Sequence, residues 1–240
     1  MTTCIRVIGV KHKEDGWGQS PPKHVNTVLD LTSSLATKFG LESNGLFFRS
    51  VGANLAKRKP NCIVALFRLF NRTPTPTATV LEDSPDEIAL GFLENAMYES
   101  NSTIGSPNGL NGVKQTCNNH YTDCADINPQ VKASIEKIVQ KIHNATINLP
   151  PEQANMQLKD LGKAICVKRS INMLSKAKLL NLEEIIIGGA HALHLEALGS
   201  IRSPALDDET KQYLKENSEE ITREIDAYNK LKTVLERVTA

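Results

Sequence analysis

Aromatic side chains are scarce in this chain: they make up 5% of 240 residues, and Trp17 is the one tryptophan. The core must therefore come mainly from Leu, Ile, Val and Ala, a composition that suits helices packed on helices. Net charge is scarce as well. Lys and Arg total 28 against 27 Asp and Glu, which leaves no electrostatic case for a nucleic-acid partner. No apolar run approaches the roughly 20 residues of a spanning helix; the run from Cys62 to Phe67 stops at Arg68. The stretch Met1 to Val10 lacks the basic start and small-residue cleavage site of a secretory signal. Cys4, Cys62, Cys117, Cys124 and Cys166 are odd in number and scattered, which argues for reduced thiols rather than a disulfide framework. A cytoplasmic protein with no membrane span is expected, and the sequons at Asn71, Asn101 and Asn144 then carry no glycan.

Signature motifs are also missing. The chain contains no G-x-G-x-x-G, no P-loop, no G-x-S-x-G elbow and no H-E-x-x-H, so any cofactor is left unknown and two large hydrolase classes lose most of their support.

What is present reads mostly as helix. Residues 4–10 are rich in β-branched types and predict a short strand, followed by an exposed turn-like stretch from Lys11 to Gly18. Ser20-Pro21 has the form of a helix start, and Val25, Val28, Leu29, Leu35 and Phe39 follow at helical spacing, with Gly40 as the left-handed stop. From Leu46 to Phe70 two strands or a short buried helix are equally compatible with the pattern, because a brief apolar run does not declare its period. Ser84-Pro-Asp-Glu87 is a capping box. Asn128-Pro129 and Pro150-Pro151 mark two further helix starts, and Ser203-Pro204 is expected to open a last helix reaching nearly to the C-terminus. Residues 100–128 are crowded with Asn, Ser, Gly, Thr and Asp, without apolar periodicity. They predict a polar loop between an N-terminal part, 1–99, and a C-terminal helical part, 129–240. The fold expected is mainly α, a multi-helix globular protein with a small β element near the N-terminus.

Among candidate sites, Glu184-Ile-Ile-Ile-Gly-Gly-Ala-His191 carries the most chemistry. Three isoleucines, two glycines and a helix-forming run would make a strand, a tight turn and a helix N-terminus, where backbone N–H groups can receive a phosphate. Gly188 and Gly189 are then the binding candidates. His191 and His194, three apart on one helical face, are the catalytic ones. The competing reading is a helix–helix corner in which the glycines permit close packing and the histidines are half exposed; the sequence favours it, since short motifs without context mislead.

Cys117, His120 and Cys124, with Asp123 or Asp126, offer zinc-ligand types within one loop, but structural sites usually draw on two separated ligand pairs and no second pair is present, so no metal is assigned. Lys57-Arg-Lys59 is too small a basic cluster to anchor the chain at a membrane, at about 1 kcal/mol per charge. The block from Lys215 to Glu224 resembles the Glu-rich tails that some bacterial type IV secreted effectors carry, which implies export into a host cell; Glu219 and Arg223 at i,i+4 equally describe a solvated helix face. With no catalytic constellation in view, the leading expectation is binding of a protein partner, with homo-oligomerisation possible through the long helix at 206–238. The alternative is an enzyme acting on a phosphate-bearing small molecule or nucleotide through the Gly188-Gly189 turn and His191.

Overall fold

The computed structural model describes residues 5–11, 28–33, 35–42, 55, 76–101 and 129–239. The strands are β1 (Arg6–Val10), β2 (Lys38–Leu41), β3 (Thr77–Val80), β4 (Glu184–Gly188) and β5 (Ala205–Leu206). The helices are α1 (Pro85–Asn101), α2 (Pro129–Thr146), α3 (Pro151–Leu179), α4 (Gly189–Ala197), α5 (Asp208–Glu216) and α6 (Ser218–Thr239). Residues 28–31 are also helical. The chain divides into two compact units, each discontinuous in sequence: residues 1–82 with 170–218, and residues 83–169 with 219–240. These boundaries differ from the expected 1–99 and 129–240.

The mainly α expectation with a small N-terminal β element needs correction. Helix does account for 68% of the described residues, but the first unit is organised by a five-stranded sheet in the order β3-β2-β4-β1-β5, and every pairing is parallel. Parallel sheets are covered on both faces, so their inner strands read as continuous apolar runs. Ile185 and Ile187 of β4 and Val7 of β1 point into one core, with Met173, Leu174, Ala192 and Leu195. Ile186, Ile8 and Val10 point into the other, with Val28, Phe39 and Leu41. Alternate residues of one strand thus feed opposite layers, and no period of two marks the sequence.

Two further corrections follow from strand pairing. Phe39 and Gly40 were expected to close a helix, but they lie in β2, between β3 and β4. Gly40 is needed there for space rather than for a left-handed turn: a Cβ would fall 2.7 Å from Leu81 Cδ2 and 2.8 Å from Leu182 Cδ1. Ser203-Pro204 does not open a helix either, because the next two residues pair with Ile8 and Gly9 of β1. The helix starts later, where the Asp207 carboxylate accepts the Thr210 N–H at 2.7 Å, and the 206–238 helix is two helices broken at Asn217. The predicted starts at Pro129 and Pro151 are observed. So is the box at Ser84, where Glu87 N–H donates to Ser84 Oγ at 3.2 Å and Ser84 N–H donates to Glu87 Oε2 at 3.1 Å. The start at Ser20-Pro21, the ambiguous 46–70 stretch, Lys57-Arg-Lys59 and the Cys117–Asp126 loop lie outside the described residues.

At the amino end of β4, acidic side chains tie in the chain that precedes β2. Glu184 accepts from the Ser33 N–H at 3.0 Å and from Arg6 at 3.1 Å, and Glu183 accepts from the Thr37 backbone and hydroxyl. The second unit is helical. In it α1 packs on α2, Met97 of α1 lies against Gly162 of α3, and the pairs Lys163–Glu220 and Lys230–Asp160 link α3 to α6. No helix among the described residues is long and apolar enough to cross a membrane.

Candidate active site at the carboxyl edge of the sheet

In open parallel sheets ligands bind beyond the carboxyl ends of the strands, at the point where connections from neighbouring strands leave in opposite directions. That point here lies between β2 and β4. The chain leaving β2 goes to β3 on one side, and the chain leaving β4 goes to β5 on the other. The first residue after β2 is Glu42, and β4 ends at Gly188, directly followed by the first turn of α4, which contains Gly189, Ala190 and His191.

The Gly-Gly segment joins a strand end at Gly188 directly to a helix start at Gly189, so neither the tight turn nor the helix–helix corner favoured on sequence grounds occurs. The glycines nevertheless serve close packing. A Cβ on Gly189 would sit 2.8 Å from Thr210 Cγ2 and 3.4 Å from Leu214 Cδ1, while one on Gly9 would sit 2.9 Å from Ala192 Cβ and 3.3 Å from Gly189 Cα. Only with glycine at both places can the start of α4 lie this close to β1. Thr210 adds a polar tie by accepting the Lys11 N–H at 2.9 Å. At Gly188 the backbone N–H donates to Glu42 Oε2 at 2.7 Å, in a buried environment. A carboxyl group of the protein itself therefore occupies the helix start where a phosphate was envisaged, and its position is favourable to the helix dipole.

The second carboxyl oxygen, Glu42 Oε1, lies 3.7 Å from His191 Nε2, and both side chains are almost wholly buried. This separation is too long for a direct hydrogen bond but suits a third atom between them, such as a water oxygen at about 2.8 Å from each. A divalent cation at about 2.0–2.2 Å from each is also compatible with the separation, and His191 and His194 both belong to a buried cluster of side chains with metal-ligand chemistry. The other side of the His191 ring is fixed: Nδ1 is 2.8 Å from Ser170 Oγ, and the same hydroxyl is 3.0 Å from His194 Nδ1. The two rings stand edge to face with centroids 6.0 Å apart. His194 has no exposed surface; burial first, and the neighbouring His191 second, push its pKa down to about 3. It is therefore a neutral interior histidine near pH 7, not a half-exposed ligand group.

Of the four residues singled out in sequence, Gly188 and His191 meet at this edge, Gly189 packs, and His194 stands behind His191. Glu42 and Ser170 were missed. Each is an isolated polar residue whose partners are distant in sequence, so no local spacing could reveal it. One signal was legible: Val7-Ile-Gly-Val-Lys-His12 and Ile186-Ile-Gly-Gly-Ala-His191 share the pattern of two β-branched residues, Gly and a His three positions on. Those two stretches contain the carboxyl ends of neighbouring strands β1 and β4, although His12 lies outside the described residues. No family model, curated protein or solved structure matches this chain.

Proposed function

We propose that this chain is an enzyme of the acid–base class that hydrolyses an uncharged substrate, with Glu42 and His191 as its working pair. The observation that carries the reading is the meeting of these two side chains, 3.7 Å apart, at the switch point of a parallel sheet. A water held between them would donate one hydrogen bond to Glu42 and one to His191 Nε2. As the water oxygen attacks an acyl carbon, Nε2 takes its proton; the same proton then passes to the leaving group when the acyl bond breaks. Glu42 orients the water and stabilises the imidazolium. A phosphate-bearing substrate is disfavoured because the Gly188 N–H already serves Glu42, and a second anion there would meet that carboxyl group.

A protein-binding role through the 206–238 stretch has less to rest on. Ile221, Tyr228, Leu231, Leu235 and Val238 of α6 are buried within this chain, so the apolar seam has an internal use. A cytoplasmic site of action goes with the enzyme reading on the cysteine pattern alone. The Glu-rich block supports export weakly, since Arg223 pairs with Glu219 at 2.8 Å as on any solvated helix.

The test is a panel of chromogenic esters, amides, lactones and phosphomonoesters given to the full chain. Turnover of a neutral member is expected, reduced about 100-fold or more in His191→Ala and in Glu42→Gln. Activity that survives both substitutions, or that is confined to phosphomonoesters, overturns the reading. If no member is turned over while a partner protein co-purifies at fixed stoichiometry, the binding reading takes its place.

A further inference from the structure

We infer that Cys166, His191 and His194 form a binding site for one transition-metal ion of the zinc class, held by a thiolate from α3 and two imidazoles from α4. The inference does not depend on the acid–base reading above, because it concerns what the three side chains bind rather than what the chain turns over.

Each of the three side chains offers one donor atom, and the three donors lie within 4.8 Å of one another. All three are buried, and Cys166 is in no disulfide. His191 and His194 stand at i and i+3 on α4, and so on one helical face. Cys166 precedes Ser170 in α3 by four residues, so these two also share a face. Ser170 Oγ in turn lies 2.8 and 3.0 Å from Nδ1 of His191 and His194. The thiol is thus the neighbour, one helical turn away, of a hydroxyl that already touches both rings. Tetrahedral bonds of about 2.0–2.3 Å bring ligands to about 3.5 Å from one another. The widest separation here has roughly an ångström to close, which small rotations of these side chains supply.

A thiolate with two imidazoles is a borderline-soft donor set. It suits zinc and its transition-metal neighbours, whereas magnesium and calcium take oxygen ligands. Ligating imidazoles must be neutral. Burial first, and the neighbouring His191 second, keep His194 so by lowering its pKa to about 3. On binding, the Cys166 thiol gives its proton to solvent and a sulfur–metal bond takes its place. Three protein ligands leave a fourth position for water or a substrate atom, as catalytic zinc sites do. A carboxylate beyond the ring of a ligating histidine is a common outer-shell partner, and Glu42 Oε1 lies 3.7 Å from Nε2 of His191.

The experiment titrates the metal-free full chain with zinc and, separately, with cobalt. One equivalent of zinc should remain after dialysis, and cobalt should give a thiolate-to-metal charge-transfer band with intense tetrahedral visible absorption. Cys166→Ser should abolish the charge-transfer band and weaken zinc binding by at least the 10–100-fold that loss of an outer-shell partner costs, with circular dichroism confirming the fold. Cys117→Ser, which disables the other cysteine–histidine group in the sequence, should leave both readouts unchanged. Where Cys166→Ser fails to fold, X-ray absorption of the zinc-loaded wild type decides: one sulfur and two imidazole nitrogens are expected, against two sulfurs for the Cys117–Cys124 stretch. A folded wild type that retains no stoichiometric metal overturns the inference, and so does binding that survives in Cys166→Ser or is lost in Cys117→Ser.

Discussion

Both units bury polar and charged side chains, but for different ends. In the helical unit Arg169 and Glu94 form a buried ion pair at 2.7 Å. Gly91 leaves the guanidinium room, since a Cβ there would come within 3.4 Å of it. Glu224 shares that interior; burial first, and the charge on Glu94 second, push its pKa up to about 8, so it is protonated at neutral pH. In the sheet unit four of the buried groups, Glu42, Ser170, His191 and His194, are gathered where two strands end. The first set places one cation against one anion and keeps the second acid neutral, which is the economy of a structural cluster. The second sets a carboxyl group and an imidazole 3.7 Å apart at the ends of two strands.

The largest effect that would sharpen this contrast is expected in the helical unit. Replacing Arg169 by Met removes the guanidinium and leaves Glu94 without its buried partner, at a cost of about 3–5 kcal/mol in urea unfolding near pH 7. A loss below about 1 kcal/mol would mean that the pair is replaceable and that the cluster is not what holds α1 to α3.

A smaller effect is expected in the sheet unit from Gly189→Val. The added side chain must displace Thr210 and Leu214, so overpacking should cost roughly 1–3 kcal/mol. If the variant were as stable as the wild type, the close approach of α4 to β1 would not be a constraint on this position.

The most discriminating test is the pH dependence, where one proton changes the slope by at most about 1.4 kcal/mol per pH unit. His194 has its folded pKa lowered from 6.5 to about 3. Its contribution is complete above pH 6.5 and is lost as pH falls from there toward 3, because the unfolded chain then binds the extra proton. Glu224 has its folded pKa raised from 4.5 to about 8. Its contribution is complete below pH 4.5 and is lost as pH rises through 8, because the folded state holds the proton longer. Hydrogen exchange should therefore show the sheet unit loosening toward acid and the helical unit toward alkali. Glu224→Gln should flatten the alkaline arm alone. Equal acid and alkaline sensitivity in both units would erase the distinction.

The parts of this fold that were legible in sequence are those decided within a few residues. Ser84 with Glu87, Pro129 and Pro151 mark helix starts because capping and proline geometry act over one turn. The Ile-rich strand before Gly188-Gly189 and the helix after it were legible for the same reason, down to His191. The α-rich composition was legible too, but it hid the sheet. Strands buried on both faces lose the alternation that identifies them, and Phe39-Gly40 at the end of an apolar series reads as a helix with its stop. Only the tertiary structure decided that β2 lies beside β4 and that Ala205-Leu206 is a strand rather than a helix start. It alone brought Glu42 and Ser170 to the two sides of the His191 ring. Parallel pairing joins segments far apart in the chain, and its energy comes from layers that exist only once both are in place; neither residue type nor local spacing carries that information.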